Sequence, residues 1–232
     1  MIDDIKSLND EIIGCNKCPR LVRFRVDVAN RKNSFYGQEY WSRPVPGYGD
    51  INGKILILGL APAATGGNRT GRIFTGDRSA RFLVKCLYLA GITNQPESEN
   101  RNDGLIYNDS YVTAVLKCVP PADRPAKSEL DNCRPYLINE IFLMKNLKAI
   151  LVLGRIAFDS LMKSLREMGY DARGLKFEHG NTCDVGKFRI FCSYHPSPRN
   201  VNVGRIDERM MISILDSVKQ FVYGNGEKEE NL

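Results

Sequence analysis

The chain has no apolar run approaching the eighteen or so residues that a membrane span requires. It opens on MIDDIKSLNDE, which is acidic and polar where a secretory leader is basic and then apolar. A soluble, intracellular, cytoplasmic protein is therefore expected. Histidine is scarce, with only two in 232 residues, so imidazole chemistry has to come from His179 or His195. The G-x-G-x-x-G dinucleotide fingerprint is absent, which disfavours a Rossmann nucleotide site. There is no internal repeat and no linker between two cores, so one domain over 1–223 is the expectation, with a polar, frayed tail over 224–232.

Cysteine is plentiful instead. Seven cysteines in a chain without a leader argue against a disulfide framework and for metal ligands or small buried hydrophobes. Cys15 and Cys18 form a C-x-x-C beside Pro19, and Cys118 and Cys133 bracket VPPADRPAKSELDN, whereas Cys86, Cys183 and Cys192 sit in apolar or strand-like runs. Four thiolates suit Zn²⁺ or an iron–sulfur cluster, and the spacing alone does not choose between them. Charge is mildly one-sided: 33 Lys+Arg against 27 Asp+Glu give +6, a modest excess that favours a polyanionic partner.

Four short β-branched or apolar runs read as buried strands: Lys54 to Leu60, Tyr111 to Lys117, Lys148 to Gly154 and Phe188 to Tyr194. Helix-period segments lie between and after them: Asp77 to Ala90, Ser128 to Lys145, Ala157 to Met168 and Ile206 to Val222. A further amphipathic helix near the start carries Ile2, Ile5, Leu8 and Ile12. Alternating strand and helix predicts an α/β sandwich, a parallel sheet covered on both faces. Ligands of such sheets sit beyond the carboxyl ends of the strands, where APAATGGNRTGRIFTGD, CVPPADRP and HPSPRN all fall.

The first of these loops spaces Gly66 and Gly71 like a P-loop, but Arg72 and Ile73 stand where Lys and Ser/Thr would hold phosphate and magnesium. Asp77 opens a helix, so its carboxylate serves equally as an N-cap or as an ionised group orienting a water. Phe74 sits in a polar loop and offers a stacking platform for a flat ligand. His195, at a strand end between prolines, is a stronger functional candidate than His179. Arginines recur near these loops: Arg20, Arg23 and Arg25, then Arg69, Arg72, Arg78 and Arg81, then Arg199 and Arg205. They fit either a solvated face or a track for a phosphate backbone.

Taken in order, C-x-x-C, GLAPAATGGNRTGRIFTGD, YVTAVLKCVPP and HPSPRN resemble the uracil-DNA glycosylase superfamily, most closely its fifth, UDGb-type iron–sulfur branch. The resemblance spans roughly Cys15 to Arg205. It implies a three-layer α/β/α sandwich with a central, mainly parallel sheet. It also implies a structural [4Fe-4S] cluster on Cys15, Cys18, Cys118 and Cys133, and a substrate of DNA containing uracil or other deaminated bases. In that pattern Gly59 to Ala63 form the water-activating loop, Phe74 stacks on the extruded base and His195 faces the leaving group. The acid or amide usual in the first motif is replaced by Leu60-Ala61-Pro62-Ala63, which leaves Asp77 to handle water. Ala61, Phe74 and Ala114 are the expected base-binding residues. Ala114 stands where related family-4 enzymes carry a uracil-reading Asn, so base choice should relax towards purines such as hypoxanthine. Arg69, Arg72, Ser197, Arg199 and Asn200 are the expected DNA contacts, and Asp123 takes the place of an Asn with its role open. The implied activity is monofunctional base excision by a monomer. The competing classes are a non-catalytic iron–sulfur or zinc DNA-binding module that senses damaged bases and, less favoured, a small-molecule phosphate enzyme.

Overall fold

The structure is a computed structural model in which residues 4–31, 35 and 37–224 are described. Ile2 and the segment 225–232, where most of the expected frayed tail falls, lie outside the described residues. Helix α1 (Ile5–Ile13) is capped by Asp4, whose carboxylate accepts from the Ser7 N–H at 2.9 Å, and it buries Leu8 and Ile12. Helix α2 (Pro19–Ala29) starts with proline in its first turn, where no N–H is needed, and buries Leu21, Arg25 and Val28. Strand β1 (Tyr48–Gly49) is followed by β2 (Ile55–Gly59), the single-turn helix α3 (Gly67–Thr70) and α4 (Arg78–Leu89). Next come β3 (Ser110–Ala114), a 3₁₀ turn over Pro121–Asp123, α5 (Lys127–Leu143), β4 (Ala149–Leu153) and α6 (Arg155–Glu167). The chain finishes with β5 (Thr182–Val185), β6 (Phe188–Ser193), α7 (Pro198–Asn202) and α8 (Glu208–Tyr223).

The strands form one mixed sheet in the order β1-β3-β2-β4-β6-β5. Its four inner strands are parallel, with Leu56 opposite both Tyr111 and Ile150. The expected parallel sheet is therefore present, but both edges, β1 and β5, run antiparallel. A tight connection explains one of them: β5 returns into β6 through Gly186 and Lys187, with Gly186 at φ 57°, where a parallel neighbour would need a crossover helix.

Side-chain alternation divides the core. Ile55, Ile57, Val112 and Leu151 face α4 and α8, while Leu56, Leu58, Ile150 and Val152 face α5 and α6. A third apolar cluster joins α1, α2 and α5 through Leu8, Ile12, Leu21 and Tyr136, with Leu116 just beyond β3. The helices that follow neighbouring strands β2 and β4 thus leave towards opposite faces. That reversal opens a crevice at the carboxyl ends of the strands.

Candidate active site and cysteine pocket

The crevice is a cleft of about 650 Å³ lined by the loops that follow β2, β3, β4 and β6. Leu60, Ala61 and Ala63 supply an apolar wall from the first loop, with no acid among them. The chain then makes the one turn of α3, closed by Gly71 at φ 75°, so the glycines shape a short helix where a P-loop would cradle phosphate.

Phe74 follows in a left-handed conformation, φ 47°, which costs a bulky residue roughly 1–3 kcal/mol and needs support from its surroundings. Gly59 makes room beneath it, since a Cβ there would lie 2.8 Å from the Phe74 ring. The Phe74 carbonyl accepts from Ser98 Oγ at 2.9 Å, and Ser98 in turn accepts from Arg72 at 2.9 Å. The Arg72 guanidinium also donates to both Asp103 oxygens, at 2.8 and 2.7 Å, and to Thr75 Oγ1. Burial pushes the Asp103 carboxyl up, but Arg72 and the backbone donors of Leu105, Glu99 and Asn100 outweigh it and bring it to about 2. Arg72 is therefore not a DNA contact: it is 3% exposed and fully engaged as the buttress of the Phe74 loop.

Asp77 reaches the cleft from the first turn of α4. Its Oδ1 caps the helix, accepting from the Ser79 and Ala80 N–H groups at 2.9 and 3.0 Å. Its Oδ2 lies over Gly66, where any side chain would collide with it. Arg69 holds the same loop by donating to the carbonyls of Thr65 and Gly76. Burial raises the Asp77 carboxyl above its ordinary range despite the two helix donors and Arg69, and Asp123 across the cleft adds to the rise. Desolvation therefore works against the helix terminus, which favours an ionised Asp77.

His195 enters from the loop after β6. Its ring lies 6.1 Å from the Phe74 ring at 29°, so the two form one wall of the cleft. Burial lowers its pKa, opposed by Asp123, which favours the neutral imidazole. Asn200 and Ser197 fix the loop that carries it: Asn200 Nδ2 and the Ser197 N–H donate to the His195 carbonyl at 2.8 Å each. Ser197 Oγ caps α7 by accepting from the Asn200 N–H. Arg199 is exposed on that short helix. His179 supports the strand end from below, its Nδ1 accepting the Tyr194 N–H at 3.1 Å while its ring stacks on Tyr194 at 4.8 Å.

Two site expectations shift. Ala114 is 2% exposed and packs in the core with Phe74 and not on the cleft wall, because a methyl group at the end of β3 is too short to reach it. Asp123 joins the cleft through two successive left-handed residues, Ala122 at φ 51° and Asp123 at φ 55°. The carboxylate after a proline pair was the available signal for it.

The four paired cysteines line a second, separate pocket that shares no residue with the cleft. Cys15 and Cys18 come from the α1–α2 connection, Cys118 from just beyond β3 and Cys133 from α5. N–H donors reach three of the sulfurs: Arg25 to Cys118 at 3.3 Å, the Lys117 amide to Cys133 at 3.2 Å, and Asn132 to Cys18 at 3.6 Å. Burial pushes the Cys133 thiol up to about 12 and raises Cys118, against Lys117 and Arg25 respectively. Among the described residues no three side chains close tightly enough to hold a single metal ion. Arg25 is 6% exposed and belongs to this pocket, and Arg20 pairs with Glu129 at 2.6 Å, so neither is a free member of a phosphate track. Cys86 and Cys192 are buried in the core, where burial lifts both thiols to about 12.

Comparison with known proteins decides the family. The family model of the uracil DNA glycosylase superfamily matches residues 46–219. The chain belongs to the uracil DNA glycosylase superfamily. It is 40% identical to the type-5 uracil-DNA glycosylase of Pyrobaculum aerophilum over 89% of this chain and 88% of that protein. The type-5 enzyme of Thermus thermophilus is 38% identical over 94% and 98% of the two chains, and that of Mycobacterium leprae 41% over 93% and 95%. A type-4 uracil-DNA glycosylase of Pyrobaculum aerophilum is more distant, 28% identical over 84% of this chain. The superfamily match covers the whole cleft, from the loop after β2 to Arg205, and leaves Cys15 and Cys18 outside it. No helix among the described residues is long and apolar enough to cross a membrane.

Proposed function

We propose that this chain excises uracil from DNA by hydrolysing the N-glycosidic bond and leaves an abasic site without cutting the strand. The observation that carries the reading is the convergence of Asp77, Phe74 and His195 on one cleft, from two loops held by their own buttresses. A base has to leave the duplex before it can enter such a cleft, at a cost of a few kcal/mol that is smallest for a mispaired base. Phe74 then offers a fixed ring for stacking, worth about 1 to 3 kcal/mol. Arg199, exposed beside the cleft, is placed to fill the vacated stack or to meet phosphate.

As the C1′–N bond lengthens, negative charge gathers on the departing uracil and positive charge on the sugar. A neutral His195 donates a hydrogen bond from its one ring N–H to O2, and preorganised donation of this kind is worth roughly 3 to 4 kcal/mol. Asp77, once ionised, orients the water that adds to C1′ and favours the developing cation, while the electron pair of the broken bond leaves with the base. Ala61 and Ala63 contribute walls and no chemistry. Among the described residues the groups lining the cleft include no lysine, which supports a monofunctional reaction. Its volume leaves room for a bicyclic base, which supports hypoxanthine as a second substrate.

Cys15, Cys18, Cys118 and Cys133 are the residues that would hold a [4Fe-4S] cluster. The donor set of four cysteines lining one pocket and the N–H groups aimed at the sulfurs favour it. Through these four residues a bound cluster would tie the α1–α2 connection to the segment after β3 and to α5, and excision would need no electron from it.

The test is purified protein on a labelled duplex with one uracil opposite guanine, followed by alkali. Alkali-dependent cleavage at the uracil is the expected result. Tight binding without abasic-site formation on uracil or hypoxanthine would favour the damage-sensing module, which the apolar first loop makes the second reading.

A further inference from the structure

Three cations are buried among the described residues: Arg25, Arg72 and Lys117. Arg72 has Asp103 at 2.7 Å and Lys117 has Glu140 at 2.7 Å. Arg25 has no carboxylate partner among the described residues. Its guanidinium donates to Cys118 Sγ and to the Cys15 carbonyl, both at 3.3 Å, and to Asn16 Oδ1 at 2.8 Å, while its Nε has no hydrogen-bond partner. It also occupies the apolar stripe of α2, between Leu21 and Val28 at i, i+4, i+7 spacing, where a cation is otherwise costly. A buried charge without its counter-charge is strongly destabilising, so this position calls for an anion at the sulfurs.

The same residue reaches the catalytic side. Its carbonyl accepts from Asn68 Nδ2 at 3.0 Å, and Asn68, 1% exposed, sits in α3 between Ala63 and Phe74. The Asn68 N–H donates to the Ala63 carbonyl and the Asn68 carbonyl accepts from the Ser42 N–H. On the opposite side of the pocket wall, Ala61 both packs on the cysteine cluster and lines the cleft.

We propose that Arg25 is the resident counter-charge of the four-cysteine site and, through Asn68, the positioning residue that ties that site to the loop bearing Phe74 and Asp77. The inference rests on the cluster reading given above. It makes the anionic cluster a condition for ordering the cleft and gives Arg25 a role that a purely packed helix residue would not have.

The experiment measures iron and acid-labile sulfide in anaerobically purified protein, then the rate of iron release to a chelator well below the melting temperature. Wild type is compared with Arg25→Met, Arg25→Lys, Val28→Ala and Asn68→Ala. Arg25→Met is expected to release iron about 10- to 100-fold faster, the range for losing a partner of a metal ligand. Arg25→Lys, which keeps the charge and loses the fork, should fall between. Val28→Ala, buried on the same helix, should melt earlier yet release iron at the wild-type rate. Asn68→Ala should keep its iron while amide exchange over residues 63–77 quickens. If Arg25→Met does not fold, the neutral but polar Arg25→Gln decides: release at the wild-type rate from it overturns the proposal. Iron-loaded wild type and Arg25→Met with equal release rates would overturn the Arg25 inference alone. Wild type without iron would overturn the cluster reading, and this inference with it.

Discussion

The cleft and the cysteine pocket are two polar centres built on opposite principles. The pocket gathers its cysteines from the α1–α2 connection, from just beyond β3 and from α5, and meets them with donors, while Lys117 on its wall anchors a buried Lys117–Glu140–Thr113 triad whose bonds run from 2.6 to 3.1 Å. The cleft takes its groups from loops after strands, and its reactive atoms are left partly unsatisfied: Asp77 spends one oxygen on a helix cap, and His195 is held through its backbone. Apart from Arg25, whose charge calls for an anion at the sulfurs, the satisfied groups of the pocket hold geometry, and the spare capacity of the cleft meets a substrate. Damage to the first centre should therefore appear as lost stability, and damage to the second as lost rate.

The largest effect expected from that contrast is at Lys117. Lys117→Met leaves Glu140 buried and unpaired and should cost about 3–5 kcal/mol in urea unfolding, with much of the loss recovered when Glu140→Leu is added. A variant as stable as wild type would break the contrast. Next, His195→Ala should lower the single-turnover rate of uracil excision about 10²- to 10³-fold with an unchanged melting temperature. A fall in stability of the size seen at Lys117 would assign His195 to the frame instead.

Arg72 and Arg199 sharpen the distinction within one residue type. Arg199→Ala should reduce the slope of log binding constant against log salt by about 1. Arg72→Ala should leave that slope alone, lower the melting temperature and loosen the Phe74 loop. The smallest effect expected is at Ala114. An Asn there is long enough to reach the cleft from the end of β3, so Ala114→Asn should lower the ratio of hypoxanthine to uracil excision. An unchanged ratio would remove this position from base choice.

Much of this architecture is legible in the chain because the inner strands are continuous apolar runs; observed and expected ends agree to within a few residues. The cleft is legible for the same reason, since unusual loops follow strands. Helix α2 is not legible in the chain, because Arg20, Arg23 and Arg25 interrupt an apolar stripe in which Arg25 itself is a buried member. The edges β1 and β5 are too short, at 2 and 4 residues, to show alternation. Arg72 reads as a surface arginine until Asp103, thirty-one positions downstream, folds back onto it. Ala114 reads as a site residue by register alone, whereas its reach depends on a side chain it lacks.

The most direct test of the account is the pH dependence of single-turnover uracil excision by wild type and Asp77→Asn, with DNA binding measured in parallel. Asp77 must be ionised to orient water, and burial raises its pKa, so the wild-type rate should be full at high pH. It should fall as pH drops through a value above the ordinary carboxylate range. Asp77→Asn should bind DNA as well as wild type, lose about 10²- to 10⁴-fold in rate and show no such limb. A near wild-type rate in the variant, or the same acid limb in both proteins, would contradict the assignment of Asp77 to the chemistry.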